Sequence, residues 1–177
     1  EGQTLHSGIR IVTGSIPVRL LLERYKIPYR DALRKVGYQR KPQDTRVNRF
    51  ALELKGGRTD VPTSILLNLR KNAAMPLQSD ENGHLFLNLD ELSRDSSRLH
   101  VVDGQHRVLA FKKLCEEDLE KWGDHKLQFV LMLGATEEEE VNQFYVVNTT
   151  AKSVKTDLAL DLLKQRAEAD GRVMEDA

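Results

Sequence analysis

Apolar residues at Ile9, Ile11, Ile16, Val18, Leu20 and Leu22 alternate with other residues, the period of a half-buried strand. Gly14-Ser15 interrupts the run, so one or two strands are expected over 9–22, with Pro17 at an edge or a strand start. Pro28 and Gly37 bracket a stretch that predicts a short helix over 28–36. A polar, basic loop, Gly37-Tyr38-Gln39-Arg40-Lys41-Pro42, separates it from the next element. From Asp44 to Lys55 the period changes: Val47, Phe50, Ala51 and Leu54 fall at i, i+3, i+4 and i+7, a helix that Gly56-Gly57 stops. Ile65–Leu69 reads as a strand, 70–80 as a loop, Asp80-Glu81-Asn82-Gly83 as a turn and His84–Leu89 as a strand. Asp90–Asp95 is a polar connection.

Next comes the stretch around which the chain is organised. Leu99, Val101 and Val102 are strand formers, Asp103-Gly104 ends the strand, and Val108, Leu109, Phe111, Leu114 and Cys115 recur at helical spacing. The helix is expected to run to about Trp122, with Gly123 as its stop. Asp103 is a candidate N-cap. Gln105, His106 and Arg107 then stand in the first helical turn, where unpaired N–H groups and the helix dipole favour an anion. Gly104 lets a ligand approach the backbone, and His106 and Arg107 add donors suited to phosphate. The same residues also fit a capped turn before an ordinary helix, and the pattern alone leaves both readings open. Beyond it, Lys126–Leu133 predicts a strand. Thr136-Glu137-Glu138-Glu139 forms a capping box opening a helix with Val141, Phe144, Tyr145 and Val147-Asn148. Thr149–Ser153 breaks that helix, and Thr156 caps a last one with Leu158, Leu160, Leu162 and Leu163. The run Glu137–Glu140 reads as electrostatic capping and a solvated face rather than a catalytic cluster.

The 177 residues suffice for one domain, and neither a repeat nor a linker is visible. With 31% charged residues and a mean hydropathy of -0.49, the chain has no apolar run that could span a membrane, so no membrane partner is expected. It begins without Met and stops abruptly at Ala177, which leaves open that it is a piece of a longer protein. The single Cys115 excludes an internal disulfide and fits a reducing, cytoplasmic setting. A net charge of zero argues against a strong sequence-independent DNA binder. The charge is uneven, however: Arg34, Lys35, Arg40, Lys41, Arg46 and Arg49 face one acid, Asp44, in 34–49. No His/Cys spacing fits zinc, and neither a Walker-type loop nor a G-x-S-x-G elbow is present.

Asp103-Gly104-Gln105-His106-Arg107 resembles the signature of the DGQHR-domain family, which includes the DndB-type proteins of DNA phosphorothioation systems. That family resembles the ParB/sulfiredoxin superfamily, where the equivalent turn reads G-E-R-R or G-C-H-R and cradles nucleotide phosphates. The likeness covers roughly residues 30 to 165. Tyr38-Gln39-Arg40 loosely resembles the first ParB motif, and Val147-Asn148-Thr149-Thr150-Ala151-Lys152 resembles the family's F-x-x-I-N-x-x-x-K segment.

The resemblance implies an α/β or α+β fold, a small mixed sheet of about four to six strands flanked by helices. It implies a nucleoside triphosphate, ATP or CTP, bound with Mg²⁺. Phosphates would sit at Gly104, Gln105, His106 and Arg107, with Arg107 making the most specific contact. Arg40 and Arg46 would close from the opposite side. Asp103 and Asn148 would face the metal. Gln105, with Asp103 beside it, is the candidate for orienting a hydrolytic water. Arg40, Lys41, Arg49 and Lys152 would lie toward DNA. The implied role is that of a regulator in a DNA-modification or DNA-defence system, as a homodimer or with a partner protein. Sulfiredoxin's thiol chemistry is not implied, because its Cys aligns with Gln105. The alternative is a DNA- or protein-binding regulatory module without hydrolysis. A nuclease-like reading would need a clustered acidic site, for which only Asp103 and Asp95 stand near the turn.

Overall fold

In strand β2 (Arg10–Pro17) Val12 and Ile16 are buried, and the strand runs unbroken through Gly14-Ser15. Gly14 lies opposite Phe129, and a Cβ at Gly14 would stand 2.8 Å from the ring's Cζ. The glycine makes room for an aromatic ring rather than ending a strand. β2 pairs on one side with β1 (Gly2–Thr4) and on the other, antiparallel, with a strand over Lys126–Leu133. The computed structural model describes residues 2–5, 7–31, 33, 36–70, 77–82, 85–93 and 98–150. The chain divides into two units, Glu1–Tyr145 and Val146–Ala177. The sheet and its core belong to the first; of the second, only 146–150 are described.

The remaining strands are β3 (Tyr25–Lys26), β4 (Ile65–Leu69), β5 (Leu77–Ser79), β6 (Leu85–Leu87), β7 (Leu99–Asp103) and β8 (Lys126–Leu133). Among the described residues, six of these eight strands form one mixed sheet in the order β1-β2-β8-β4-β7-β3, with β4–β8 and β3–β7 parallel. β5 and β6 pair apart as an antiparallel hairpin. The helices are α1 (Val18–Leu22), α2 (Asp44–Lys55), α3 (Gln105–Glu117), α4 (Leu119–Trp122) and α5 (Glu137–Thr150). The fold is therefore α+β, a mixed sheet flanked by helices, as expected.

One sheet face carries Val12, Ile16, Ile65, Leu67, Leu69, Leu99, Val101, Leu127 and Leu131. It packs on Val18 and Leu21 of α1, Val47, Ala51 and Leu54 of α2, and Val108, Phe111 and Leu114 of α3. This is the larger core, and each large side chain fully buried there contributes about 1.5–3 kcal/mol. The opposite face holds a smaller cluster, Ile9, Val102, Met132 and Ala135, with Leu66 and Phe144 against it.

Several elements differ from the sequence reading. Val18–Leu22 is helix rather than strand, because the chain turns at Pro17 and Val18 and Leu21, three apart, share the buried side. The described residues of 28–36 are not helical. Asp31 bridges Val36 and Tyr29 bridges Gln39, with Arg30 N–H donating to Gln39 O at 2.8 Å. Residues 77–79 form a strand where a loop was expected. The helix after the turn is divided by Asp118, whose extended backbone ends α3 and whose carboxylate caps α4 through Lys121 N–H at 3.0 Å. α5 continues through Thr149 and Thr150 instead of breaking there. The expected last helix, capped by Thr156, lies outside the described residues. No helix among the described residues is long and apolar enough to cross a membrane.

Gly37 illustrates what holds the 28–39 loop. Its φ is +71°, and a Cβ there would stand 2.1 Å from the carbonyl oxygen of Tyr29. Gly57 has φ +65° but open space around it. Gly57→Ala is expected to cost about 1–2 kcal/mol, the left-handed backbone alone. Gly37→Ala should cost clearly more, because backbone must also move. Urea unfolding of the two variants checks this, and equal losses would contradict the close approach at Gly37.

Candidate functional site

At the end of β7 the chain leaves the sheet through Gly104, which takes a left-handed conformation (φ 91°, ψ 16°) and is the N-cap residue of α3. Asp103 is thus the last strand residue and not the cap. Gly104 is buried, and the place its Cβ would occupy is filled by Ile65, whose Cγ2 stands 2.7 Å away. Its missing side chain serves close packing on β4, not the approach of a ligand as expected. The first intrahelical bond runs from Val108 N–H to Gly104 O at 3.1 Å. Among the described residues no group accepts from the N–H of Gln105, His106 or Arg107. They stand at the positive end of the helix dipole.

Arg107 behaves differently from a free phosphate ligand. Its Nη1 donates to Thr63 O (2.9 Å), Thr63 Oγ1 (2.7 Å) and Ser64 O (2.8 Å), and its Nη2 donates to Asp103 at 3.0 Å. The guanidinium therefore staples the first turn of α3 to the segment that enters β4 and to the strand end behind it. Asp103 is committed to the same pair.

A second helix start lies beside this one. The ion pair Lys55–Glu117 (2.6 Å) joins the C-terminal ends of α2 and α3. Nearer the N-terminal ends, Lys113 Nζ of α3 donates to Asn48 Oδ1 of α2 at 2.7 Å, and the charge of Arg46 is felt at His106. The two helices therefore run side by side in the same direction, with both N-termini at one end. α2 also lacks a side-chain cap. Burial first, then the positive charge of Arg46, push the His106 imidazole below its ordinary pKa, against the opposing pull of Asp103. The neutral imidazole favoured in this way keeps one N–H to donate. The Gln105 side-chain oxygen is buried and has no partner among the described residues.

The structure thus brings Asp103, Gly104, Gln105, His106, Arg107 and Arg46 together. Arg40 and Lys41 are exposed on the loop before α2. Arg49 is exposed and paired with Glu53 at 3.0 Å. Asn148 lies exposed near the end of α5 in the second unit, while Lys152 and Asp95 fall outside the described residues. No group of three His, Cys, Asp or Glu able to hold a metal occurs among the described residues. With its carboxylate committed to Arg107, Asp103 does not by itself make a resident Mg²⁺ centre. Among the described residues, open grooves lie against α3. One, of about 540 Å³, includes Tyr25, Lys26, Lys112 and Cys115, and another, of about 500 Å³, includes Pro42, Asp44, Val47 and Leu109.

The strongest electrostatic feature is one that the sequence pattern does not reveal. Glu140 belongs to an acidic run expected to be solvated, yet it is 0% exposed. Its Oε1 accepts from Asn68 Nδ2 (2.7 Å) and Arg70 Nε (2.9 Å), and its Oε2 accepts from Arg70 Nη2 (2.7 Å). His100 Nδ1 stands 3.4 Å from Oε1. Arg70 also donates to Glu137 (3.0 Å), and Glu137 accepts from Gly37 N–H (3.1 Å). The Tyr38 phenol faces both Gln39 and Glu140, and burial, then the Glu140 charge, push its pKa up. Only Thr136 and Glu139 behave as the expected capping box, exchanging bonds of 2.7 and 3.3 Å. The signal for the rest was present in two strands. Asn68 interrupts Ile65-Leu66-Leu67 and Leu69, and His100 interrupts Leu99 and Val101-Val102; polar groups in such runs must find partners.

No protein-family model matches the chain, and no curated protein matches it either.

Burial alone would raise the Glu140 carboxyl, but Arg70, His100 and Asn68 hold it down at about 2 against an ordinary 4.5. A depressed carboxyl stabilises the fold fully above the unfolded value and loses that contribution as pH falls from 4.5 through about 2. Glu140→Gln is expected to cost about 3 kcal/mol at pH 7, because Arg70 loses its buried counter-charge. It should also flatten the fall in stability across that acid window. Urea unfolding of both proteins between pH 2 and pH 7 tests this, and parallel curves would count against it.

Proposed function

We propose that the Gly104–Arg107 turn binds the phosphates of a nucleoside triphosphate, and that the protein acts as a nucleotide-responsive regulator in a DNA-modification or DNA-defence system. The observation that carries this reading is the set of unbonded N–H groups of Gln105, His106 and Arg107, beside a second uncapped helix start that carries Arg46. Anions bind where N–H groups and helix dipoles converge. In this reading the phosphate contacts fall to the backbone, Arg46 and His106, with Arg40 approaching from the exposed loop. Arg107 holds the turn in shape. The groove at Pro42, Asp44, Val47 and Leu109 gives room for the nucleoside, since Leu109 follows Gln105 by one turn on the same side of α3. Mg²⁺ would arrive on the phosphates of ATP or CTP. Gln105 is the residue to test for orienting a water, which would make the protein a slow hydrolase. The single Cys115 goes with a cytoplasmic setting for such a regulator.

A second reading rests on Arg40 and Lys41, exposed beside the turn: the same surface would bind DNA phosphates without hydrolysis. Calorimetric titration with ATP, CTP, GTP and UTP, each with Mg²⁺, separates the two. Binding of one nucleotide is expected, weakened about tenfold or more by Arg46→Ala, the loss of one charge-assisted contact. Arg107→Ala is expected to lower stability as well, so it is not the clean control. Binding of duplex DNA with no response to any nucleotide would favour the second reading. An Arg46→Ala protein with unchanged nucleotide affinity would overturn the proposed cradle.

A further inference from the structure

The strand that delivers the turn is irregular. Between β4 and β7, Leu67 lies opposite Val101 but Leu66 lies opposite Asp103, so Val102 is an extra residue, a bulge immediately before the turn. A bulge interrupts the ladder and twists the strand end. The side-chain amide of Gln39 spans this irregularity: its Nε2 donates to Val101 O and, at 3.2 Å, to Val102 O. Gln39 is 1% exposed, so water cannot take over these bonds.

Gln39 is itself held firmly. Its N–H donates to Pro28 O at 3.0 Å, and its carbonyl accepts from Arg30 N–H at 2.8 Å. Its neighbour Tyr38 packs against the Phe144 ring, with centroids 5.3 Å apart, and faces Glu140. Gly37 N–H is bonded to Glu137. A chain of contacts therefore runs from α5 through the 37–39 segment to the end of β7.

We infer that Gln39 is the positioning residue of the turn: by clamping both carbonyls at the Val102 bulge, it fixes the direction in which Asp103, Gly104 and the N–H groups of α3 leave the sheet. The effect on nucleotide affinity rests on the proposed phosphate site; the effect on the turn does not. Gln39 also carries Arg40 on the next residue, so the clamp sets the turn and the start of the basic loop together.

The test is amide hydrogen exchange on the whole chain, comparing Gln39→Met, which keeps length and apolar bulk but cannot donate, with Gln39→His, which keeps an N–H at similar reach. Val108, bonded to Gly104 O, reports the turn; Val12 and Leu131, paired in β2 and β8 beyond β4, report the rest of the sheet. The expected result is exchange at Val108 at least tenfold faster with Met, near wild type with His, and unchanged at Val12 and Leu131 in both. Equal acceleration at all three sites with Met would show an ordinary core residue and overturn the inference, as would no change at Val108. If Gln39→Met does not fold, Gln39→Leu, smaller and also unable to donate, decides: about tenfold faster exchange at Val108 with Val12 and Leu131 unchanged supports the inference, and wild-type exchange at Val108 overturns it. On the same samples, nucleotide affinity is expected to fall about tenfold with Met. A wild-type protein that binds no nucleotide would remove the phosphate site, and the exchange pattern would still decide the role of Gln39.

Discussion

A carboxylate without access to water constrains one whole side of this protein. Glu140 is fully buried, and an ionised carboxyl in such a place is tolerated only with a counter-charge and hydrogen bonds on its oxygens. Arg70 supplies the charge from the residue just after β4, Asn68 an amide from within it, and His100 an imidazole from the neighbouring strand. Each partner comes from a different position along the chain. The carboxylate is satisfied only when β4 and β7 are in register and the first turns of α5 lie against them. The apolar cluster on that sheet face is small, so the polar layer, rather than hydrophobic area, specifies how α5 docks.

The opposite face works by the opposite means. There α1, α2 and α3 bury a continuous apolar core, and this core sets the parallel alignment of α2 and α3. Strand β7 belongs to both regimes. Leu99 and Val101 face the helices, His100 faces the polar layer, and Asp103-Gly104 leave the sheet at its end. The turn is therefore anchored from both sides: Ile65 packs where Gly104 has no side chain, Arg107 ties α3 to Thr63 and Ser64, and Gln39 holds the bulge from the far side.

How much of this was legible depended on whether a residue's partner is near in sequence. α2, β4 and β8 have the bounds that periodicity predicts, because their burial follows one regular face. The capping box at Thr136 was legible for the same reason, since its partners lie three residues apart. α1 was not legible, because its apolar residues fit a strand as well as a one-turn helix, and Pro17, expected at an edge or a strand start, instead ends the interior strand β2 where the chain turns into the helix. Gly14 and Gly104 were legible as glycines but not for their purposes, which are set by Phe129 and Ile65 across the sheet. Glu140 stands in a run of like residues, and nothing local distinguishes it from its exposed neighbour Glu138. The difference is made by Arg70, seventy residues earlier in the chain.

The same distinction applies to charge. A net charge of zero describes the molecule but not the end at which α2 and α3 begin. There two helix dipoles add in the same sense, the charge of Arg46 is felt at His106, and the acid closest to the turn, Asp103, is paired with Arg107. Other acids are spent elsewhere, Glu117 on Lys55, Glu53 on Arg49, and Glu137 and Glu140 on Arg70. In the proposed site the fixed N–H groups of the turn need no reorganisation to meet an anion, and Asp44 in the first turn of α2 is the charge that opposes one. The proposed anion site on this neutral protein thus depends on where the carboxylates are committed: Asp103 is tied to Arg107, whereas Asp44 is the carboxylate that stands at a helix start.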